Sequence, residues 1–181
     1  MARRRRTQAG DHAAPDRSTA LDIALRYLGS RPRTRHEITQ RLQRDGITGA
    51  DLDATLERLA DYGYVDDVAF ARWWAEQRDR HAPRGRRLLE AELRRHGVPH
   101  DVIEAFREEH ASPERLPEDA GLPATEAERA DDVLARHLRG RPVPQDPKAR
   151  QRLGAFLMRR GFDPETVRTA IRAAGADDDR E

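Results

Sequence analysis

Three stretches of the chain repeat one pattern: EITQRLQRDGITGADLDATL (37–56), RLLEAELRRHGVPHDVIEAF (87–106) and QRLGAFLMRRGFDPETVRTAI (151–171). In each, apolar residues stand eight and four positions ahead of a glycine: Ile38 and Leu42 before Gly46, Leu89 and Leu93 before Gly97, Leu153 and Leu157 before Gly161. An apolar residue follows each glycine, namely Ile47, Val98 and Phe162. A repeat at this period is the mark of a tandem array of small supersecondary units. The four-residue spacing is one face of an α-helix, and a glycine closing that face reads as a left-handed C-terminal cap with the next apolar residue folded back over the turn.

A further helix follows each turn. Thr48, Pro99 and the pair Asp163–Pro164 are its start signals, and its apolar face is read as Leu52, Leu56 and Leu59, then Val102 and Phe106, then Val167 and Ile171. Another amphipathic stretch precedes each pair, carrying Leu21, Leu25 and Leu28 in the first unit, Phe70, Trp73 and Trp74 in the second, and Val133, Leu134 and Leu138 in the third. The expectation is an all-α chain, a tandem array of three three-helix repeats, elongated and curved. No segment sustains the period-two alternation of a half-buried strand. The repeats are placed at 18–65, 66–110 and 125–174, with a Pro-rich linker at 111–124, a disordered basic tail at 1–17 and an acidic tail at 175–181.

Composition agrees with thin helical layers. Of the 181 residues 36% are apolar and 37% charged, against about 25% charged in an average globular protein. With no cysteine in the chain, disulfides, thiolate metal sites and a cysteine nucleophile are excluded. The seven histidines are scattered without His-x-x-x-His spacing, and no apolar run approaches the roughly 18 residues of a membrane span. The basic start MARRRR leads into no apolar signal region, so the expected location is the cytoplasm.

The net charge of +1 hides strong segregation. It runs +7 over residues 1–44, −6 over 45–71, +4 over 72–97, −8 over 98–132, +7 over 133–172 and −3 over 173–181. Basic clusters RPRTR, PRGRR and PKARQR fall at the start of the middle helix of every unit. A helix N-terminus favours anions, so arginines there are misplaced for the dipole unless they have other work. A solvated face is the plainer reading of any one cluster. Recurrence in three units favours a shared surface facing phosphates or carboxylates.

Asp66 and Asp67 stand side by side with no nearby partner for acid–base or metal chemistry. The simpler reading makes one of them the N-cap of a helix beginning near Val68, and ADDVL at 130–134 suggests the same arrangement ahead of the third unit's first helix. Tyr62, Tyr64, Phe70, Trp73 and Trp74 offer a stacking platform for single-stranded nucleic acid as one reading, but aromatics at helical spacing are more often core, and Phe70 and one tryptophan are read as core. Adjacent residues lie about 100° apart on a helix, so the two tryptophans do not both face inward. The single glycines form no phosphate-cradling fingerprint. Neither an enzyme nor a cofactor or metal is expected.

The stretch LADYGYVDDVAFARWWAEQR, with Leu59, Gly63, Tyr64, Val65, Asp66, Asp67, Phe70 and Ala71, resembles the signature of the bacterial RecX regulatory proteins. The repeats on either side, ALRYLGSRPRTRHEITQRLQRDGI and RGRRLLEAELRRHGV, are similar to the first and middle units of that family. The resemblance implies a protein, expected to be a monomer, that lies in the groove of the RecA filament on single-stranded DNA and suppresses its ATP hydrolysis and strand exchange. Gly63, Tyr64, Asp66, Asp67, Phe70 and Ala71 then serve mainly structural roles at the joint between units. Arg33, Arg35, Arg84, Arg86, Arg87, Lys148, Arg150 and Arg152 are the candidate contacts to acidic RecA side chains or to DNA phosphate. The alternative is a direct DNA-binding protein built of helix-turn-helix-like repeats, taking single- or double-stranded DNA on its arginine faces.

Overall fold

The computed structural model describes residues 17–111 and 125–178. The basic N-terminal run, the Pro-rich stretch and the last three residues of the acidic end lie outside the described residues. Nine helices and no strand are found among the described residues. In chain order they are α1 (Arg17–Leu28), α2 (Arg35–Arg44), α3 (Gly49–Asp61), α4 (Asp67–His81), α5 (Arg86–Arg95), α6 (His100–Ala111), α7 (Glu126–Leu138), α8 (Pro147–Arg159) and α9 (Pro164–Asp178).

Two compact units divide the chain. The first holds residues up to Arg33 and Glu37–Val65. Its core joins Ile38, Leu42 and Ile47 to Leu52, Leu56 and Leu59 of α3, with Val65 closing it. The side of α1 that meets this core differs from the leucine face expected. Ala20 and Ala24 are fully buried, while Leu21, Leu25 and Leu28 pack around them and keep some exposure. A methyl side chain admits a neighbouring backbone that leucine would hold away, so the contact seam is narrow.

The second unit holds Thr34–His36 and everything from Asp66 onward. Two apolar clusters fill it. One gathers Phe70, Ala71 and Ala75 of α4, Leu89 and Leu93 of α5, Val98, and Ile103 and Phe106 of α6. The other gathers Ala130, Val133 and Leu134 of α7, Val143, Leu153 and Leu157 of α8, Phe162, and Val167 and Ala170 of α9. Burying a side chain such as Phe70 or Leu157 is worth about 1.5–3 kcal/mol. On α6 Phe106 is core as expected, while Ile103 is driven inward beside it and Val102 is only partly buried.

The three repeat glycines have positive φ: 83° at Gly46, 75° at Gly97 and 92° at Gly161. At each, the following apolar residue donates back across the turn, Ile47 N–H to the Leu42 carbonyl, Val98 N–H to Leu93 and Phe162 N–H to Leu157, while the glycine N–H reaches Gln43, Arg94 or Met158. These are Schellman turns, which satisfy the orphan carbonyls of the helix end. Gly63 builds a fourth, with Tyr64 N–H donating to Leu59.

Candidate functional site: capped helix starts and basic faces

The two adjacent aspartates, Asp66 and Asp67, do different work. Asp66 has extended backbone, and its Oδ1 accepts from Val68 N–H at 2.8 Å and Ala69 N–H at 3.0 Å, the N-cap of α4. Asp67 looks the other way. Its Oδ1 accepts from the backbone N–H of Arg35, the first residue of α2, at 2.9 Å. One residue earlier, Thr34 is fully buried and donates its hydroxyl to the His96 carbonyl at 2.6 Å.

The same device recurs between the second and third repeats. The backbone N–H of Arg86, the first residue of α5, donates to Glu126 Oε1 at 3.2 Å, and Glu126 is the first residue of α7 as Asp67 is of α4. One residue before Arg86, Gly85 N–H donates to the Arg160 carbonyl at 2.9 Å, where Thr34 reaches His96. His96 and Arg160 are equivalent positions, each directly ahead of a Schellman glycine. Each of these two basic middle-helix starts thus receives a carboxylate from the head of the next repeat's first helix, the anion its dipole favours. In the third repeat a loop residue supplies it, Asp146 accepting from Ala149 N–H at 2.8 Å. Burial is the leading influence on both imported acids and raises the Asp67 and Glu126 carboxyls above their ordinary values, against the lowering effect of the arginine amides they bind.

Asp131 and Asp132 do not repeat Asp66 and Asp67. Both lie inside α7, which begins five residues earlier behind a Thr125–Glu128 capping box. Glu128 N–H donates to Thr125 Oγ1 and Thr125 N–H to Glu128 Oε2, so two helix-start donors are already satisfied. The shared letters of the two Asp-Asp-Val stretches are a coincidence of register.

Buried charge organises the rest of the second unit. Arg129 and Asp79, with side chains 8% and 7% exposed, pair with Arg129 Nε at 2.8 Å and 3.0 Å from the two carboxylate oxygens, tying α7 to α4. Glu92 accepts from Trp74 Nε1 at 2.9 Å and Arg78 Nε at 2.8 Å and pairs with Arg84. Glu90 accepts from Arg107 Nε at 2.8 Å and Arg94 Nη2 at 2.9 Å; the Arg107 hydrogen bond leads in holding its carboxyl below the ordinary value. Sequence reasoning passed over these pairs, although a signal existed: Asp79 continues the Ala71, Ala75 face at a spacing of four, and Arg129 stands four before Val133.

The eight basic candidates therefore sit in different settings. Arg84 is engaged by Glu92, and burial, then the charges of Arg78, Arg160 and Arg95, lower its guanidinium from the ordinary value. Arg33 lies over the Tyr27 ring at 4.1 Å and donates to Ser30. Arg86 is 3.8 Å from Glu126, and Arg150 donates to the Pro144 carbonyl and Gln145. Arg35, Arg87, Lys148 and Arg152 are exposed, and Arg87, Lys148 and Arg152 have no carboxylate partner among the described residues. Tyr64 is exposed, while Phe70 and Ala71 are core. Phe70 stacks on Trp74 with centroids 6.0 Å apart, and both tryptophans are half-buried.

Sequence profiles for three successive domains match in order: "RecX, first three-helix domain" over residues 20–59, the second over 66–105 and the third over 124–171. Regulatory protein RecX of Thermobifida fusca is 35% identical over 179 residues, covering 94% of this chain and 89% of its own. The chain belongs to the RecX family. Regulatory protein RecX of Mycobacterium avium is 36% identical over 145 residues, covering 79% of this chain and 77% of its own. The crystal structure of RecX from Lactobacillus salivarius shares the fold, with a TM-score of 0.72 over 87% of this chain and 96% of that one at 16% identity. The all-helical array of three repeats is thus the RecX architecture. No helix among the described residues is long and apolar enough to cross a membrane.

Proposed function

We propose that this chain is a cytoplasmic, non-enzymatic modulator of homologous recombination that binds the RecA filament on single-stranded DNA and inhibits its ATP hydrolysis and strand exchange. The observation that carries this reading is the ordered match to all three RecX domains in a chain whose relatives are named regulatory proteins. The exposed Arg87, Lys148 and Arg152 support it, because a guanidinium or ammonium not consumed in an internal pair is available for charge-assisted hydrogen bonds to carboxylate or phosphate.

The test is ATP hydrolysis by RecA preassembled on single-stranded DNA, followed as the protein is titrated in below the RecA concentration. A fall in rate at substoichiometric amounts supports filament modulation. In that assay Arg87→Glu should weaken inhibition severalfold while leaving the thermal midpoint unchanged. An unchanged hydrolysis rate, together with tight and steeply salt-dependent binding to bare DNA, would transfer the assignment to direct DNA binding.

A further inference from the structure

The C-terminal end of α7, the loop after α4 and the end of α8 line a cavity of about 450 Å³ that is widely open to solvent, its volume within the roughly 300–1,000 Å³ of small-ligand sites. Arg136, Arg139, Arg141, Arg160, His81 and His137 line it, and no carboxylate does. Arg136 pairs with Asp132 at 2.7 Å. The other three guanidiniums have no carboxylate partner among the described residues: Arg141 donates to the Leu138 carbonyl, and Arg160 lies over the Phe156 ring at 5.2 Å. Three positive charges round one opening raise the local concentration of anions there.

Two independent observations specify the anion. Arg139 is the one non-glycine residue with positive φ among the described residues, at φ 52° and ψ 46°. A helix end in this conformation normally takes glycine or asparagine, so a long cationic side chain is kept here against the backbone's preference, as strained residues at binding sites are. His137 stacks flat on Phe156, with centroids 4.1 Å apart and planes 26° from parallel. It is itself exposed, with Phe156 against one of its faces. A neighbouring cavity of about 250 Å³ also takes His137 and Arg141 into its lining.

We propose that this cavity binds a nucleotide, its phosphates held by Arg139, Arg141 and Arg160 and its base laid on His137. Guanidinium forks match phosphate geometry, and aromatic faces accept any base. The ligand is either a free nucleotide or one unit of a single-stranded nucleic acid, and the assignment does not depend on an action on RecA.

The test is calorimetric titration of the full chain, without RecA, by ATP, by inorganic tripolyphosphate and by a 5′-phosphorylated hexathymidylate. ATP or the oligonucleotide should bind more tightly than tripolyphosphate, the tighter of the two identifying the source. Arg141→Ala and Arg160→Ala should each lower affinity by about tenfold or more. His137→Ala should cost about tenfold for base-bearing ligands and nothing for tripolyphosphate. Arg139→Gly should raise the thermal midpoint and yet weaken binding, a combination that a purely structural arginine would not give. Tripolyphosphate binding as tightly as both nucleotides, affinity insensitive to His137→Ala, or no binding at millimolar ligand would each overturn the assignment. A preparation that inhibits RecA but binds no nucleotide would remove this inference alone.

Discussion

Arg129 and Asp79 show how a single buried pair reads energetically. Their contact replaces hydration that both groups lost, so removing one partner leaves the other charged and unsatisfied. Arg129→Ala or Asp79→Ala should cost about 3–5 kcal/mol in denaturant unfolding, and a double change to apolar residues of similar volume should recover most of it. Glu90 and Glu126 predict opposite pH dependence. The Glu90 carboxyl is lowered from 4.5, so its stabilisation is present above that pH and fades as pH falls through the folded-state value. Glu90→Gln should therefore lose about 2 kcal/mol near neutrality, with the deficit closing under acid. The Glu126 carboxyl is raised from 4.5, so its contribution is favourable below that pH and is lost as pH rises through the folded-state value. Glu126→Gln keeps an acceptor for the Arg86 amide and sheds the buried charge. Its thermal midpoint should equal or exceed the parent's at pH 7, with the difference vanishing below pH 4.5.

At the level of elements, the glycine turns separate conformational cost from packing cost. A Cβ at Gly46 would meet nothing within 4 Å, so Gly46→Ala tests the positive φ alone and should cost about 1 kcal/mol. At Gly161 the same atom would stand 2.5 Å from Leu88 Cβ and 2.6 Å from its backbone nitrogen, so Gly161→Ala should cost about 3 kcal/mol. Thermal unfolding of the two variants checks the order. These turns were readable in the sequence because a four-residue apolar spacing and a glycine are local signals. The first residue of α7 was not, since the Asp-Asp-Val letters imitate the start of α4 while the Thr125–Glu128 box does the capping. The alanine seam of α1 escaped for a related reason: hydrophobicity ranks leucine first, whereas closeness of approach selects alanine. Asp67 was half visible, and Glu126 was not. The place of Asp67 at the head of α4 is a local signal, but the amides that Asp67 and Glu126 bind lie 32 and 40 residues upstream.

For the whole molecule, charge segregation along the chain translated only in part into free basic surface. Blocks of net charge are visible in a sequence, whereas the carboxylate that consumes a given arginine is not, and Arg84 is drawn to Glu92 while its neighbour Arg87 stays exposed. The second unit carries two apolar clusters bridged by the Asp79–Arg129 pair. A fragment spanning residues 66–181 should therefore remain helical and melt in one transition by circular dichroism, and a melt in two separated steps would show that the bridge does not couple the clusters. Between them, a Cβ at Gly85 would stand 2.3 Å from the Gly161 carbonyl carbon and from Phe162 N. Main chain meets main chain there, with no side chain acting as a spacer. The separation of these two segments is consequently a fixed gauge: drift in the surrounding side chains leaves it unaltered, whereas gaining one methyl group at either glycine would prise the segments apart.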